Sequence, residues 1–544
     1  MPGRKRTSVV MAAGAVRALS RAGVVRPVAP DTLRRVGGAR HRLRESLASV
    51  VAIGAARWPD RVALSDDRGA VTYGELHRRG AALAAGLQRD LGVGPDRSLA
   101  ILARNHNGAV EAAIAAGRLG ADLLLLNTDF AGPQLADVLK RERPGAIAID
   151  EEFLPALGFT GPSAPPAVVA WHDAPQTLPT LESFASAPLT GPPPLPTRTS
   201  RLTILTSGTT GRPKGARRAI GATAMAGVVA SALDRTGLRS GDPVFVAVPL
   251  FHGYGFALAV LALVLGCPLS LRRRFEPEAA LALVDAERLR MMAVVPVMLK
   301  RMLDVPLDVA ATYDRASLEI VLSGAAPLDP VLADRTLRAW GPILYNGYGS
   351  SEAGVATLAT PEDLHDDPSS VGRPVLGTTI RILDDDHQQL PPSVTGHVFV
   401  DSSLAFDGYT GEEGRGRKAV VDGMVATGDM GHLDIHGRLS ISGREDDMIL
   451  SGGENVYPQE IEDVLHEHEG IADVAVLGVH DPEFGQRLAA YVVCEEGEFL
   501  GEEEIRSFVR ERLARYKVPR DVVFIDELPR TATGKVRRRA LPGP

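Results

Sequence analysis

Short apolar runs and helically spaced apolar positions follow one another along most of this 544-residue chain. Residues 99–103 form a continuous apolar run of strand length, 109–118 carry apolar side chains at helical spacing, and 121–126 form a second short run. Strand, helix and strand in that order build parallel sheets covered by helices. Further strands are predicted over 201–205, 244–248, 292–295, 320–322 and 343–345, and a helix from Ala216 onward. Between 156 and 201 the periodicity fades and prolines accumulate, including Pro192 to Pro194. That segment predicts a long irregular connection.

From about 371 to 439 the pattern changes to short strands broken by Gly and Asp, which predicts a small barrel-like or mixed β region. Beyond Gly443 it becomes compact and mixed, with helices over 458–466 and 502–512 and strands over 474–479 and 489–493. The predicted fold class is α/β: a large N-terminal domain of parallel sheets covered by helices plus a small β-barrel region, then a small α+β C-terminal domain. Boundaries follow at 1–47 for a basic N-terminal extension, 48–443 for the large domain and 444–544 for the small one. In the extension, Val16, Leu19, Val24 and Leu33 alternate with Arg17, Arg21, Arg34 and Arg35. It reads as a helical extension packed on the main body, or more sharply as a helix lying on a membrane surface.

Length alone calls for two or more domains. With 45% hydrophobic and 23% charged residues the composition is globular, and a net charge of -7 gives no reason to expect nucleic acid. Two cysteines, Cys267 and Cys494, are too few for a disulfide framework and fit a reducing compartment. The longest apolar run, 256–271, is broken by Gly266 and Pro268 and falls short of the roughly 18 residues of a membrane span. Arg4 to Arg6 followed by 8–16 superficially resembles a secretion signal, but Arg17 and Arg21 cut the apolar region short. The expected location is cytoplasmic, with peripheral attachment to the inner face of the membrane as a role for the extension. Lysine is rare, seven residues among 60 cations, which draws attention to Lys214 and Lys535.

Chemistry enters with Thr206-Ser207-Gly208-Thr209-Thr210-Gly211-Arg212-Pro213-Lys214-Gly215. Four hydroxyls, three glycines and a lysine in ten residues make a phosphate cradle, because glycine lets backbone N–H groups approach an anion and lysine adds a mobile charge. A Walker A loop needs lysine directly after glycine and a hydroxyl residue directly after lysine; Arg212-Pro213 and Gly215 break that pattern. The run resembles the phosphate-binding signature of the adenylate-forming superfamily, which comprises acyl-CoA synthetases, peptide synthetase adenylation domains and luciferases. The resemblance covers about 490 residues, and fatty acyl-CoA synthetases are the most similar members.

Further segments resemble that family's motifs in the family's order. Pro249-Leu250-Phe251-His252-Gly253 resembles the carboxylate end of the acyl pocket, with His252 as a polar gate, though a lone histidine is more often a satisfied core residue. The resemblance implies an acyl pocket from His252, Gly253, Tyr254, Gly347 and Gly349. Ser323-Gly324-Ala325-Ala326-Pro327 resembles the adenine-binding turn. In Asn346-Gly347-Tyr348-Gly349-Ser350-Ser351-Glu352, Tyr348 would stack on adenine, Ser351 replaces the usual threonine, and Glu352 with Thr206 would hold Mg²⁺. Oxygen ligands alongside triphosphate suit that ion. Thr427-Gly428-Asp429 resembles the ribose site, Arg444 would add a ribose or phosphate contact, and Asp446 falls at the hinge of a mobile C-terminal domain. Ser451-Gly452-Gly453-Glu454 resembles the loop lining the CoA pantetheine tunnel, and Pro529-Arg530-Thr531-Ala532-Thr533-Gly534-Lys535 the catalytic-lysine motif.

The resemblance implies an ATP-dependent acyl-CoA synthetase that converts a medium- or long-chain fatty acid to acyl-AMP and then to acyl-CoA, with ATP, Mg²⁺ and coenzyme A. Lys535 and His252 would be its catalytic residues. An acyl-AMP ligase loading a carrier protein and a non-catalytic nucleotide-binding relative are the alternatives.

Overall fold

The computed structural model describes residues 14, 16–24, 26–207, 213–218, 222–350, 353–402, 420–451, 454–481 and 485–543. The chain divides into two compact units. The first is built from residues up to 294 together with 304–321, the second from 295–303, 322–402 and the chain from 418 onward.

Two sheets organise the first unit. One contains β1 (Val62–Asp66), β2 (Gly69–Thr72), β9 (Val244–Val246), β10 (Leu269–Ser270) and β11 (Met291–Val294), ordered β11-β9-β10-β1-β2 and parallel except for β2. The other contains β3 (Leu99–Leu102), β4 (Leu123–Leu125), β5 (Ala146–Asp150), β6 (Ala167–Trp171), β7 (Leu202–Ser207) and β8 (Pro213–Arg218), ordered β6-β5-β3-β4-β7-β8. It is parallel except for β8. Both faces of β3, β4 and β5 are buried, which is why they read as unbroken apolar runs rather than alternating ones.

The helices follow local rules. Helix α1 spans Pro30–Leu43 and α2 spans Leu47–Arg57; α1 buries Ala39 and Leu43 and packs against α2. Thr72 starts α3 (Tyr73–Leu91) by accepting from Glu75 N while the Glu75 carboxylate accepts from Thr72 N, and Gly92 ends it at φ 65°. The stripe of Leu76, Leu83 and Leu87 is buried, and α3 packs on α4 (Asn107–Leu119). After β8 come α5 (Ala222–Thr236) and α6 (Gly253–Leu265).

Two expectations are corrected here. Residues 156–201 hold strand β6 and a short helix over Leu181–Ala185, because the five apolar residues from Ala167 find an open sheet edge beside β5. From Ala216 the chain is not helical: Pro213–Arg218 pairs antiparallel with β7, and the helix begins only at Ala222. Ala and Arg favour helices, but a ladder of backbone bonds to β7 overrides that preference.

In the second unit, which takes in the end of β12 (Ile320–Gly324), β13 (Leu344–Ser350), β14 (Gly354–Ala359), β15 (Ser370–Pro374), β16 (Thr378–Leu383), β17 (Gly396–Ser402), β19 (Met424–Leu433) and β20 (Leu439–Arg444) form an antiparallel path β16-β17-β19-β20-β15-β14-β13, with β18 (Val420–Val421) beside β19. Ile380, Ile382, Val398, Val400 and Leu439 fill its core. Helix α7 (Pro330–Trp340) belongs to the same unit.

The C-terminal residues form β21 (Ile449–Ser451), β22 (Glu454–Val456), β23 (Ile471–Asp481), β24 (Gly485–Cys494) and β25 (Asp521–Phe524), with α8 (Pro458–His466) and α9 (Glu502–Arg512). Their core, including Ile461, Leu465, Val474, Val476, Ile505 and Val509, is their own. The architecture is α/β with parallel-rich sheets, covering helices, an antiparallel β region and a small α+β C-terminal domain.

Candidate active site

On the second unit, three predicted residues from three strands meet. The Tyr348 hydroxyl on β13 donates to Asp429 Oδ2 on β19 at 2.5 Å. Arg444, directly opposite Asp429 in the β19–β20 ladder, brings Nε to 3.8 Å from Oδ1. Enclosure of the Tyr348 hydroxyl, and then the Asp429 carboxylate, push the phenol well above its ordinary value of 10. Tyr348 therefore stands as the donor of this pair. Asp429 is further set by its own backbone, whose N–H donates to Thr427 Oγ1 at 3.1 Å.

The predicted adenine turn lies beside this group. A side chain built on Gly347 would first meet Ser323 O, at 3.7 Å, so β13 runs past the end of β12. Ala325 in that turn takes φ 68°, the left-handed region that non-glycine residues rarely adopt. Asn346 is buried and donates to Ser370 O at 3.4 Å. Gly349 is also required to be small by its neighbour strand: a Cβ there would fall 2.2 Å from Gly354 O, so its lack of a side chain lets β13 and β14 approach closely.

Lys535 also belongs to the second unit, on a tight loop. Thr531 N donates to Lys535 O at 2.8 Å, Lys535 N to Thr531 Oγ1 at 3.1 Å, and Gly534 takes φ 81°. The turn packs on the segment after Val294, since a Cβ on Gly534 would lie 3.0 Å from Val297 Cγ1. Lys535 itself is exposed. The pattern of residues did not reveal the anchor: Arg530 donates to Gly534 O at 2.6 Å and to both carboxylate oxygens of Asp473 on β23 at 2.9 and 2.7 Å. An arginine inside the motif was its one visible signal.

The first unit holds the phosphate run and His252. Backbone pairing puts Thr206 opposite Lys214 and Ser207 opposite Pro213, so the two ends of the run lie on neighbouring antiparallel strands β7 and β8. Gly208, Thr209, Thr210 and Gly211 lie outside the described residues, as do Ser351, Glu352, Gly452 and Gly453. Ser451 and Glu454 pair at the ends of β21 and β22, and Asp446 lies in a short 3-10 turn, Glu445–Asp447.

His252 caps α6, its Nδ1 accepting from Tyr254 N at 3.3 Å. Gly253 lies against β7, because a Cβ there would lie 3.2 Å from Ile204 Cδ1. Burial pushes the Tyr254 phenol above its ordinary range. An apolar cavity lies beside the His252 loop, lined by Ile101, Val110, Leu250, Phe251, Phe256 and Ala259 among others. Among the described residues, no helix is long and apolar enough to cross a membrane.

Known proteins match this arrangement. The model of the AMP-binding enzyme family matches residues 51–410, and that of the AMP-binding enzyme C-terminal domain matches 460–535. An indoleacetate–CoA ligase from Aromatoleum aromaticum is 33% identical over 491 residues, 88% of this chain and 94% of that protein. A fatty acid–[acyl-carrier-protein] ligase from Streptomyces coeruleorubidus is 30% identical over 515 residues, covering 92% of this chain and 96% of its own length. Among solved structures, the o-succinylbenzoate CoA synthetase of Bacillus subtilis in complex with its acyl-adenylate intermediate aligns with a TM-score of 0.79 at 26% identity, over 91% of this chain and 98% of that one. With both family models matched in order and relatives aligned along nearly nine-tenths of its length, the chain belongs to the AMP-binding enzymes of the adenylate-forming superfamily.

Proposed function

We propose that the protein is an AMP-forming acid–thiol ligase that activates a carboxylic acid with ATP and passes the acyl group to coenzyme A. The observation that carries this reading is the meeting of Tyr348, Asp429 and Arg444: a phenol donor, a carboxylate and a cation grouped beside the Ser323–Pro327 turn. A ribose offers two hydroxyls to such a carboxylate, and Arg444 suits an adjoining oxygen of the nucleotide.

In the first step a carboxylate oxygen bonds to the α-phosphorus as the bond to pyrophosphate breaks. In the second, the thiol sulfur bonds to the acyl carbon, AMP leaves, and the thiol proton is lost to solvent. The paired ends of β7 and β8 bind the triphosphate through Thr206, Ser207 and Lys214. Thr206 and Glu352 supply oxygen ligands of the kind magnesium accepts, and that ion would offset phosphate charge. His252 orients the carboxylate, and Lys535 meets the charge that develops between carboxylate and α-phosphate, where a preorganised cation is worth most. Asp446 serves as the hinge on which residues 444–544 turn between the two steps, bringing Ser451 to Glu454 to the thiol's path.

The acid has an apolar body, in keeping with the wholly apolar residues around the cavity beside His252. Indoleacetate and a fatty acid both appear in the relatives' names, so arylalkanoic and medium- or long-chain acids are the two classes to compare. The carrier-protein ligase keeps a second reading in play, with a carrier thiol in place of CoA. Pyrophosphate release and thioester formation, followed with indole-3-acetate, ferulate, octanoate and palmitate in turn, test the proposal. Acid-dependent pyrophosphate release with CoA thioester as product is expected. Acyl-AMP that accumulates in the presence of CoA favours the carrier reading, and no release with any acid refutes both.

A further inference from the structure

Asn105 lies three residues past the end of β3, is 5% exposed, and belongs to none of the motifs that carry the resemblance. Its amide nevertheless grips the approach to His252 from both sides. Nδ2 donates to Val248 O at 2.9 Å, with Val246 O and Ala247 O at 3.4 and 3.5 Å, and Oδ1 accepts from Leu250 N at 2.8 Å. One side chain thus spans Pro249, which has no N–H of its own to give. It also joins the sheet that holds β3 to the strand end of β9 in the neighbouring sheet, both within the first unit.

The rest of the loop is set from that grip. His252 N donates to Pro249 O at 3.1 Å, and His252 Nδ1 accepts from Tyr254 N. With Nδ1 as an acceptor, the neutral ring carries its proton on Nε2, the atom suited to donate to a carboxylate. The first turn of α6 backs this stretch closely, a Cβ on Gly255 falling 2.5 Å from Pro249 O and 2.8 Å from Val248 O, and Leu250, Phe251 and Phe256 border the apolar cavity. Val248 and Leu250 are buried, so without Asn105 the Val248 carbonyl and the Leu250 N–H would lose these partners, a cost the backbone can relieve only by shifting.

We propose that Asn105 is a positioning residue for the adenylation reaction, holding the Val248–His252 backbone so that His252 presents Nε2 to the acid. The inference rests on the acid-orienting role proposed for His252, and it predicts a defect confined to the acid. Asn105→Ala should raise the KM for the acid about tenfold and lower kcat for pyrophosphate release, while the KM for ATP stays within about twofold. Amides of 247–255 should exchange with deuterium about tenfold faster. Asn105→Asp keeps the acceptor and shape but at neutral pH lacks the donor. As pH falls its protonated carboxyl can donate to Val248 O, so its activity relative to the natural enzyme should rise toward acid pH.

Kinetics with indole-3-acetate, ferulate, octanoate and palmitate, with deuterium exchange on the same preparations, decide the matter, and Asn105→Asp serves where Asn105→Ala fails to fold. Unchanged acid KM and kcat, a parallel rise in the KM for ATP, or unchanged exchange over 247–255 would each overturn the proposal while leaving the ligase reading intact. Absence of turnover by the natural enzyme with every acid would overturn both.

Discussion

At the scale of single residues, Tyr348 has a task beyond the one the resemblance implies. Besides the ring that would stack on adenine, it carries a hydroxyl committed to Asp429, and burial with that carboxylate keeps it protonated. A hydrogen bond to a charged group is worth about 1.5 kcal/mol or more. Tyr348→Phe should therefore weaken AMP binding about tenfold, measured by calorimetric titration, because Asp429 loses the contact that aims it. Unchanged affinity would mean that Arg444 and the Thr427 turn hold Asp429 without help. The identities of Tyr348, Asp429 and Arg444 were legible because each sits in a short motif. Their contact was not, since about 80 residues of chain separate Tyr348 from Asp429 and only the strand order brings them together. Asn105 and Arg530 were missed for a related reason: a residue that grips backbone leaves no pattern of its own.

At the scale of elements, helix α8 is held by a charged cluster with a definite pH response. His466 Nδ1 lies 2.6 Å from Asp329 Oδ2, and Nε2 lies 3.6 Å from Asp473 on β23. The first contact lacks hydrogen-bond alignment and is chiefly electrostatic. Asp329 also caps α7, accepting from Val331 N at 2.6 Å. Burial alone would lower the His466 value, but the two aspartates outweigh it and raise it from 6.5 to about 10. Nearby Asp463 is raised by burial to about 7. Both folded values exceed the ordinary ones. The His466 contribution is thus complete below about pH 6.5 and lost as pH rises through about 10, and that of Asp463 is lost as pH rises through about 7. Stability should fall steadily from neutral to alkaline pH, and His466→Ala should flatten the fall between pH 7 and 10 while lowering the melting temperature at pH 7. Thermal melts across that range check it; an unaltered slope would mean the cluster contributes nothing to folding. Helix α8 itself was legible from its apolar spacing and leading proline, whereas β6 and β8 were not. Five apolar residues among prolines, and a Lys-Gly-Ala-Arg-Arg stretch, become strands only because a neighbouring strand offers unpaired backbone groups.

At the scale of the whole molecule, the proposed function divides labour along the chain. In that proposal Lys214 would hold phosphate, Lys535, 321 residues later, would supply the charge for adenylation, and a hinge at Asp446 would let other residues serve the thioester step. Lys535→Ala should reduce acyl-AMP formation by at least ~100-fold, the usual effect of deleting a preorganised electrostatic contact. Thioester formation from supplied acyl-AMP should change far less. Single-turnover assays of the two half-reactions separate these outcomes, and equal loss of both would remove Lys535 from the adenylation step. By itself the sequence determined the α/β class, the order of the motifs and hence the family, because apolar periodicity and short glycine-rich runs are local properties readable without coordinates. Only the tertiary structure decided that the two ends of the phosphate run pair as antiparallel strands, that Tyr348 aims Asp429, and that Asn105 grips the loop before His252. Each depends on which backbone groups lie opposite one another across a sheet or between sheets, and that register is set by packing of the whole unit rather than by any stretch of chain.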